Sequence, residues 1–488
     1  MKNISKTISG ALALTLIFST ACAAQQTEPT PALTGTPETT EVPFAKTDDL
    51  FPVGDREYFV PFADPAASYC SVAEGYGVPV REQGLGGCYC YASVSAMQTN
   101  YLKAHGELID LNPVDIIGRI YENPASDKDG NPVYDREKYY VEANPTDLGG
   151  SYYHVTGAMC ADPLNGYLVS ETNIIGFYNC EYPGIHTASE DEIKDAVRRY
   201  GAVCLAVNYT KDCKMINGYY TQNYQNNAEN YNHVSVIVGW DDNFPADGFQ
   251  TPASRNGAWL VQNSFGEYWG NMGYYWVSYD MPIPGLYTIS VTKDYSGGVS
   301  YGKFPMSMIP SADLLALSEQ NGGADQAVFD AVNTCNTVTG ATVYDKSGTI
   351  GAIGIWTEVP GQSYEIQVLD GEFGKVLTTM TGSFEFAGYH TVRLDSPLKV
   401  KKFTVVVKTP GIGVFEGSSY EGTARSITSK FDCHYEAKTS PKRSYIWIGS
   451  EWVDVTDPSV ISRLGLDGLP EFENDTTPGD PCITVLFV

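Results

Sequence analysis

From about residue 325 to the C-terminus the chain is a succession of short strand-like runs. They read ATVYD, TIGAIGIWTE, SYEIQVLD, YHTVRLD, KKFTVVVKT, RSYIWIG and CITVLFV, separated by Gly, Pro and Asp turns. Helical periodicity is nearly absent there, so these residues can bury their apolar sides only between sheets, and an all-β sandwich is predicted. The stretch before it reads differently. A helix is expected from 88 to about 104, and DEIKDAVRRYG (191–201) is an amphipathic helix stopped by Gly201. A buried strand AVCLAVNY follows, then the strand-like runs HVSVIVGWD, GAWLVQNS and GYYWVSYD. At 488 residues the chain exceeds one ordinary domain. The expected class is α+β: a helical part and an antiparallel β part over residues 51–300, then a β unit over 301–488 that starts with an irregular connection at 301–324.

The N-terminus, MKNISKTISGALALTLIFSTACAAQQ, has Lys2 and Lys6, an apolar run from Ile8 to Phe18, and then small residues. That is the pattern of a secretory signal over residues 1–23, with a run too short to span a bilayer. Ala21-Cys22-Ala23 fits a small-x-small cleavage site, whereas Ser19-Thr20-Ala21-Cys22 resembles a bacterial lipobox that would lipidate Cys22. The lipobox reading is preferred, because a Thr/Pro-rich stretch suited to a surface tether occupies residues 24–50. On either reading the mature chain is secreted or displayed at the cell surface, and it meets a membrane only through that lipid anchor. The formal net charge of −27 excludes nucleic acid as a partner. Eleven cysteines are scattered with no CxxC pair, which argues against a zinc ribbon. DKDGNP (127–132) lacks the spacing and closing Glu of a calcium loop and reads as a turn. No metal and no organic cofactor is expected.

The stretch EQGLGGCYCYASVSAMQ (82–98) sets two thiols one residue apart at the start of the expected helix. Cys90, Val94, Met97 and Tyr101 recur at helical spacing and form one apolar stripe, so Cys90 reads as a packing residue. Cys88 lies roughly 200° around the helix from it, directly after Gly86-Gly87. Unpaired N–H groups and the positive dipole end favour a thiolate there, and a nearby imidazolium lowers a thiol well below its usual value of about 8.5. Gln83 is placed to supply an amide donor beside the Cys88 N–H, an oxyanion hole worth about 3 kcal/mol per donor. Of the six histidines, His233 opens an apolar strand in NYNHVSVIVGWDDNF. Asn263 ends another in GAWLVQNSFGEYWG, with Phe265 and Trp269 after it. An Asn amide can orient the imidazole while the rings keep that bond dry.

The blocks GCYCYAS, NHVSVIVGWDD and GAWLVQNSFGEYWGNMGYYWVSY resemble the three signature blocks of papain-like cysteine proteases, in the right order, over roughly residues 51–300. The resemblance implies a two-lobe protease fold with Cys88 as nucleophile, His233 as base, Asn263 as its orienting residue and Gln83 in the oxyanion hole. It matches Gly149-Gly150 in DLGGSYY to the glycine pair that binds substrate backbone, and it puts Val234 beside a neighbouring subsite. Tyr89 and Phe265 stand where the family carries Trp. Leu85 stands where it carries a cysteine, so that disulfide is absent. The β unit resembles the lectin-like domain appended to bacterial members, implying a glycan or cell-surface ligand. The expected activity is hydrolysis of polypeptides through a thioester. The alternative is an inactive surface adhesin that keeps the fold for binding, and a cell-wall amidase is disfavoured because the Asn-Ser-aromatic-Gly block has no role there.

Overall fold

The computed structural model describes residues 67–488, apart from Leu85 and residues 135–136, 178–186, 210–212, 217–218, 224–230, 312, 314–315, 317–334, 418, 426–429 and 467–477. The predicted signal, the tether and Cys22 lie outside the described residues, as does part of the connection predicted before residue 325. Among the described residues no helix is long and apolar enough to cross a membrane.

The first unit is organised around α1 (Cys88–His105). The helix ends at Gly106, whose φ of 69° is left-handed backbone suited to glycine and whose N–H caps Leu102 O at 2.8 Å. Every residue from Cys88 to Tyr101 is buried, so the stripe through Cys90 does not mark a single inner face. The helix is enclosed on all sides, against α2 (Pro113–Ile120), α3 (Tyr152–Met159) and the sheet. In α2, the Asn112 side chain caps Val114 N and Pro113 takes the first helical position, where its missing N–H costs nothing. The amphipathic helix expected at 191–201 is α4 (Glu190–Tyr200), opened by reciprocal bonds between Ser189 and Glu192.

The main strands of this unit are β1 (Tyr139–Val141), β2 (Leu168–Phe177), β3 (Val203–Val207), β4 (His233–Asp241), β5 (Ala258–Gln262), β6 (Tyr274–Ser278) and β7 (Gly285–Thr292). β4 is central and antiparallel to both neighbours, with His233 opposite Val207 of β3 and Val236 opposite Gln262 of β5. Every residue of β4 is buried because both faces of the strand are covered. Val203, Leu205 and Val207 pack with α4, whereas Cys204 and Ala206 turn to the cluster that contains α1.

The second unit comprises β8 (Gly297–Ser300), β9 (Thr337–Thr357), β10 (Ser363–Asp370), β11 (Val376–Ser383), β12 (Ala387–Pro410), β13 (Ile412–Gly417), β14 (Lys430–Glu436), β15 (Ser444–Ile448), β16 (Glu451–Asp454) and β17 (Ile483–Phe487). β9 and β12 pair along almost their whole lengths, with register shifts near Asp345 and Ile350. Such irregularities bend long strands and let them fold over a core, here Tyr344, Ile353, Ile366, Phe403 and Val485 among others. Within the predicted irregular connection, Pro305–Pro310 instead forms an edge strand beside β13. Its prolines sit at the two ends, where an edge strand tolerates them, and their presence hid the strand from a reading by pattern.

The two units share strands. β8, which precedes the expected boundary at 300, pairs with the C-terminal β17. β12 adds to β2 through Ala387 and Ile174, and β14 adds to β1 through His434 and Tyr140. At this joint Glu416 is fully buried, and its Oε1 accepts from the N–H groups of Lys303 and Phe304 at 3.1 and 3.2 Å and from the Tyr435 hydroxyl at 2.5 Å. DKDGNP is a hairpin turn: Asp127 Oδ1 accepts from the N–H groups of Asp129 and Asn131.

Candidate active site

β4 begins with His233, and β5 ends just before Asn263. Because the two strands are hydrogen-bonded neighbours, their ends deliver both side chains to one place: His233 Nε2 lies 2.7 Å from Asn263 Oδ1. A carbonyl oxygen only accepts, so Nε2 carries the proton and Nδ1 keeps the basic lone pair. Asn263 is held in turn by its own N–H to Gly273 O at 2.8 Å and by Ser264 N–H to Oδ1 at 2.8 Å. Asn263 Nδ2 is buried without a partner.

The imidazole is 4% exposed and is covered by rings. Phe265 stacks on it with centroids 4.9 Å apart at 25°, and Trp269 stands behind Phe265 at 5.5 Å. Tyr209 meets the imidazole edgewise at 5.5 Å. The sequence reading assigned Phe265 and Trp269 to this region but missed Tyr209, which lies in a polar loop after β3 that carries no periodic signal.

Gln83 reaches the same strand end from the other direction. Its N–H bonds Ser264 O at 2.8 Å, and its Oε1 accepts from Ser264 Oγ at 2.5 Å. Glu82 bridges Phe265, and Gly266 N–H bonds Arg81 O at 3.0 Å. With Oε1 engaged, the Nε2 donors of Gln83 remain for another acceptor. Ser264 is a second residue that the sequence reading passed over, since serine in a turn is too common to signal a role.

Cys88 is the first residue of α1 and is 1% exposed. The glycines before it are there for contact: a Cβ on Gly86 would fall 2.1 Å from Asp147 O. The loop that carries Cys88 thus runs against the backbone that leads into Gly149-Gly150. Both glycines are buried, with Gly150 against the Tyr89 ring and Gly149 O accepting from the Tyr121 hydroxyl at 2.5 Å. Val234 is buried opposite Ala206, in the same apolar cluster as Cys88 and Tyr89. Cys90 points elsewhere. It is fully buried, its Sγ donates to Pro113 O at 3.3 Å, and burial pushes its thiol well above the usual range. The structure therefore brings His233, Asn263 and Gln83 into one hydrogen-bonded chain and separates the surroundings of the two neighbouring thiols.

Comparison with known proteins bears on the two units as wholes. Residues 70–291 match the papain family of cysteine proteases, and residues 327–463 match the lectin-like domain. The chain thus carries a papain-family cysteine protease domain followed by a lectin-like domain. The structure is similar to that of the cysteine protease Cwp84, a surface layer associated protein of Clostridium difficile. One solved structure of its protease and lectin-like domains gives a TM-score of 0.58 at 19% identity over 87% of this chain and 89% of that one. A second, described as following propeptide cleavage, gives 0.60 at 20% identity over 86% and 99%. At these identities the likeness shows the fold. Among curated proteins, cathepsin K of Mus musculus is 25% identical over 213 residues, 41% of this chain and 56% of its own length. Cysteine proteinase 5 of Dictyostelium discoideum is 25% identical over 234 residues, 46% and 65%. The chain spans less than two thirds of the length of these curated relatives.

Proposed function

We propose that the protein is a thiol peptidase that hydrolyses polypeptides through a thioester. The observation that carries the proposal is the His233–Asn263 bond, with Gln83 tied to the same strand end and a thiol at the head of α1. His233 Nδ1 takes the Cys88 proton, and the thiolate attacks the peptide carbonyl carbon. The oxyanion is held by the Cys88 N–H and Gln83 Nε2. The imidazolium then gives its proton to the leaving amine, and water, deprotonated by the same nitrogen, cleaves the thioester and restores the thiol. Gly149-Gly150 lies alongside the acyl half of an extended substrate, with Val234 at a neighbouring subsite.

The catalytic unit is the expected 51–300 less β8, which goes with the β unit of 301–488. The match to a lectin-like domain favours a glycan at the cell surface as the β unit's ligand. The chain is exported on the signal over residues 1–23, and Cys22 is its lipid anchor; for Cwp84, surface-layer association is part of its description. The test is labelling with an epoxide-type thiol inhibitor, read by peptide mapping. Stoichiometric modification of Cys88, together with peptide cleavage that Cys88→Ala abolishes, supports the peptidase. A folded protein whose Cys88 stays unlabelled supports the adhesin.

A further inference from the structure

Two rings bear on His233, and they are held by different means. Phe265 is two residues beyond Asn263 and is fixed by the ladder it makes with residues 81–83. Tyr209 sits two residues past Val207, the residue paired with His233 itself, where β3 has already ended. A loop residue at that point would ordinarily be free to move, but this one is locked. Asn232, immediately before His233, accepts from the Tyr209 N–H at 2.9 Å and donates to Tyr209 O at 2.9 Å. Its side-chain amide so continues the β3–β4 ladder beyond the last backbone pair, which its own N–H closes on Val207 O at 3.1 Å. The Tyr209 ring then meets the imidazole at 60° and leans on Phe265 at 5.4 Å. One ring stacks on a face of the imidazole, and the other stands across it at a steep angle.

From this we infer that Tyr209, clamped by Asn232, is a positioning residue for the His233 imidazole, fixing its rotation about the Nε2–Asn263 bond so that Nδ1 stays aimed at the thiol. The inference rests on the proposed thiol chemistry. A single hydrogen bond to Oδ1 leaves the ring free to swing about that bond, and one stacked ring permits sliding in its plane. A second ring set at 60° to the imidazole, itself propped on Phe265, opposes both motions. Nδ1 must be aimed twice per turnover, at the thiol proton and at the leaving amine, and misplacement by about 1 Å is enough to lose orders of magnitude in rate.

The test uses Tyr209→Phe, Tyr209→Ala and Asn232→Ala in the full chain, with a short peptide substrate and with iodoacetamide alkylation of Cys88 mapped by peptide. Tyr209→Ala is expected to lower kcat about tenfold with KM changed less than twofold, and to slow Cys88 alkylation at neutral pH in parallel. Tyr209→Phe restores both, because the ring does the positioning. Asn232→Ala reproduces the loss in part while the imidazole and its Asn263 bond are untouched. Should Tyr209→Ala fail to fold, Tyr209→Leu keeps the bulk without the ring and is expected to show the same kcat loss. Wild-type kcat and alkylation in Tyr209→Ala or Tyr209→Leu, or equal loss in Tyr209→Phe, would overturn the inference. A Cys88→Ala variant that still cleaves would instead sink the peptidase reading, which is a separate result.

Discussion

His233 and His154 are almost equally hidden, 4% and 2% exposed, yet they stand in opposite situations. In α3, His154 spends Nδ1 on accepting the Ser151 N–H at 3.1 Å, amid the rings of Tyr139, Tyr153 and Phe304. Burial drops it from the ordinary 6.5 to about 3, so it is neutral and silent. His233 instead turns Nε2 to the amide oxygen of Asn263, and in the proposed mechanism it is Nδ1 that carries the transferred proton. The two neighbouring thiols repeat the lesson: both are buried, but Cys90 donates to Pro113 O while Cys88 heads the helix. Burial alone does not make a reactive group.

The sharpest way to break that contrast is to remove each thiol. Cys88→Ala is expected to cut kcat/KM by about four orders of magnitude or more. Cys90→Ala should keep activity and lose only about 1 kcal/mol of stability, measured by urea unfolding. Next in size is Asn263→Ala, which frees the imidazole and should lower kcat by about a hundredfold, and which should cost about 2 kcal/mol of stability by leaving the Ser264 N–H and His233 Nε2 without their acceptor. A result within twofold of wild type would place the orienting role elsewhere.

The silent groups of the joint are read through pH. Glu416 is raised from 4.5 to about 8, chiefly by burial and then by the nearby Glu137. The folded protein therefore holds a proton that the unfolded chain releases, so the stability Glu416 contributes is full below about 4.5 and is lost as pH rises through 8. His154 has the opposite sign: its contribution is full above 6.5 and is lost as pH falls toward 3, where only the unfolded chain is protonated. Glu416→Gln should flatten the alkaline limb of a stability–pH profile and His154→Asn the acid limb. Glu416→Leu, which orphans the donors of Lys303, Phe304 and Tyr435, should cost about 3 kcal/mol in urea unfolding. The smallest effect belongs to the cap of α4: Ser189→Ala should cost about 1 kcal/mol, seen as a modest fall in Tm.

Much of the fold was legible because period and punctuation report local structure. Gly86-Gly87 marked the start of α1, Gly201 marked the end of α4, and apolar runs gave β3, β4 and β5, whereas the caps at Gly106 and Ser189 emerged only in the structure. The His233–Asn263 pair was legible because each residue ends such a run. The joint was not. Cys433 and Val141 pair across a separation that no local pattern encodes, on strands too short to show alternation. Tyr209 and Asn232 were missed for a related reason: their bond joins two polar loops whose proximity follows only from the β3–β4 register. The α1 stripe misled in a third way, since a helix enclosed on every side has no polar face to define it.

The interlaced strands at the seam have a consequence for how such a molecule meets its target. With β8 completed by the last strand and β2 completed by β12, the two units are joined by paired backbone among the described residues. On the proposed reading, a ligand held by the β unit would be presented to the catalytic unit at a set angle and reach, so anchoring would choose which bonds come within cutting distance, as the jaw of a vice sets where a saw can pass. A gene fragment ended near residue 300 would bare two raw sheet margins at once, and sticky insoluble protein is the outcome to expect from it.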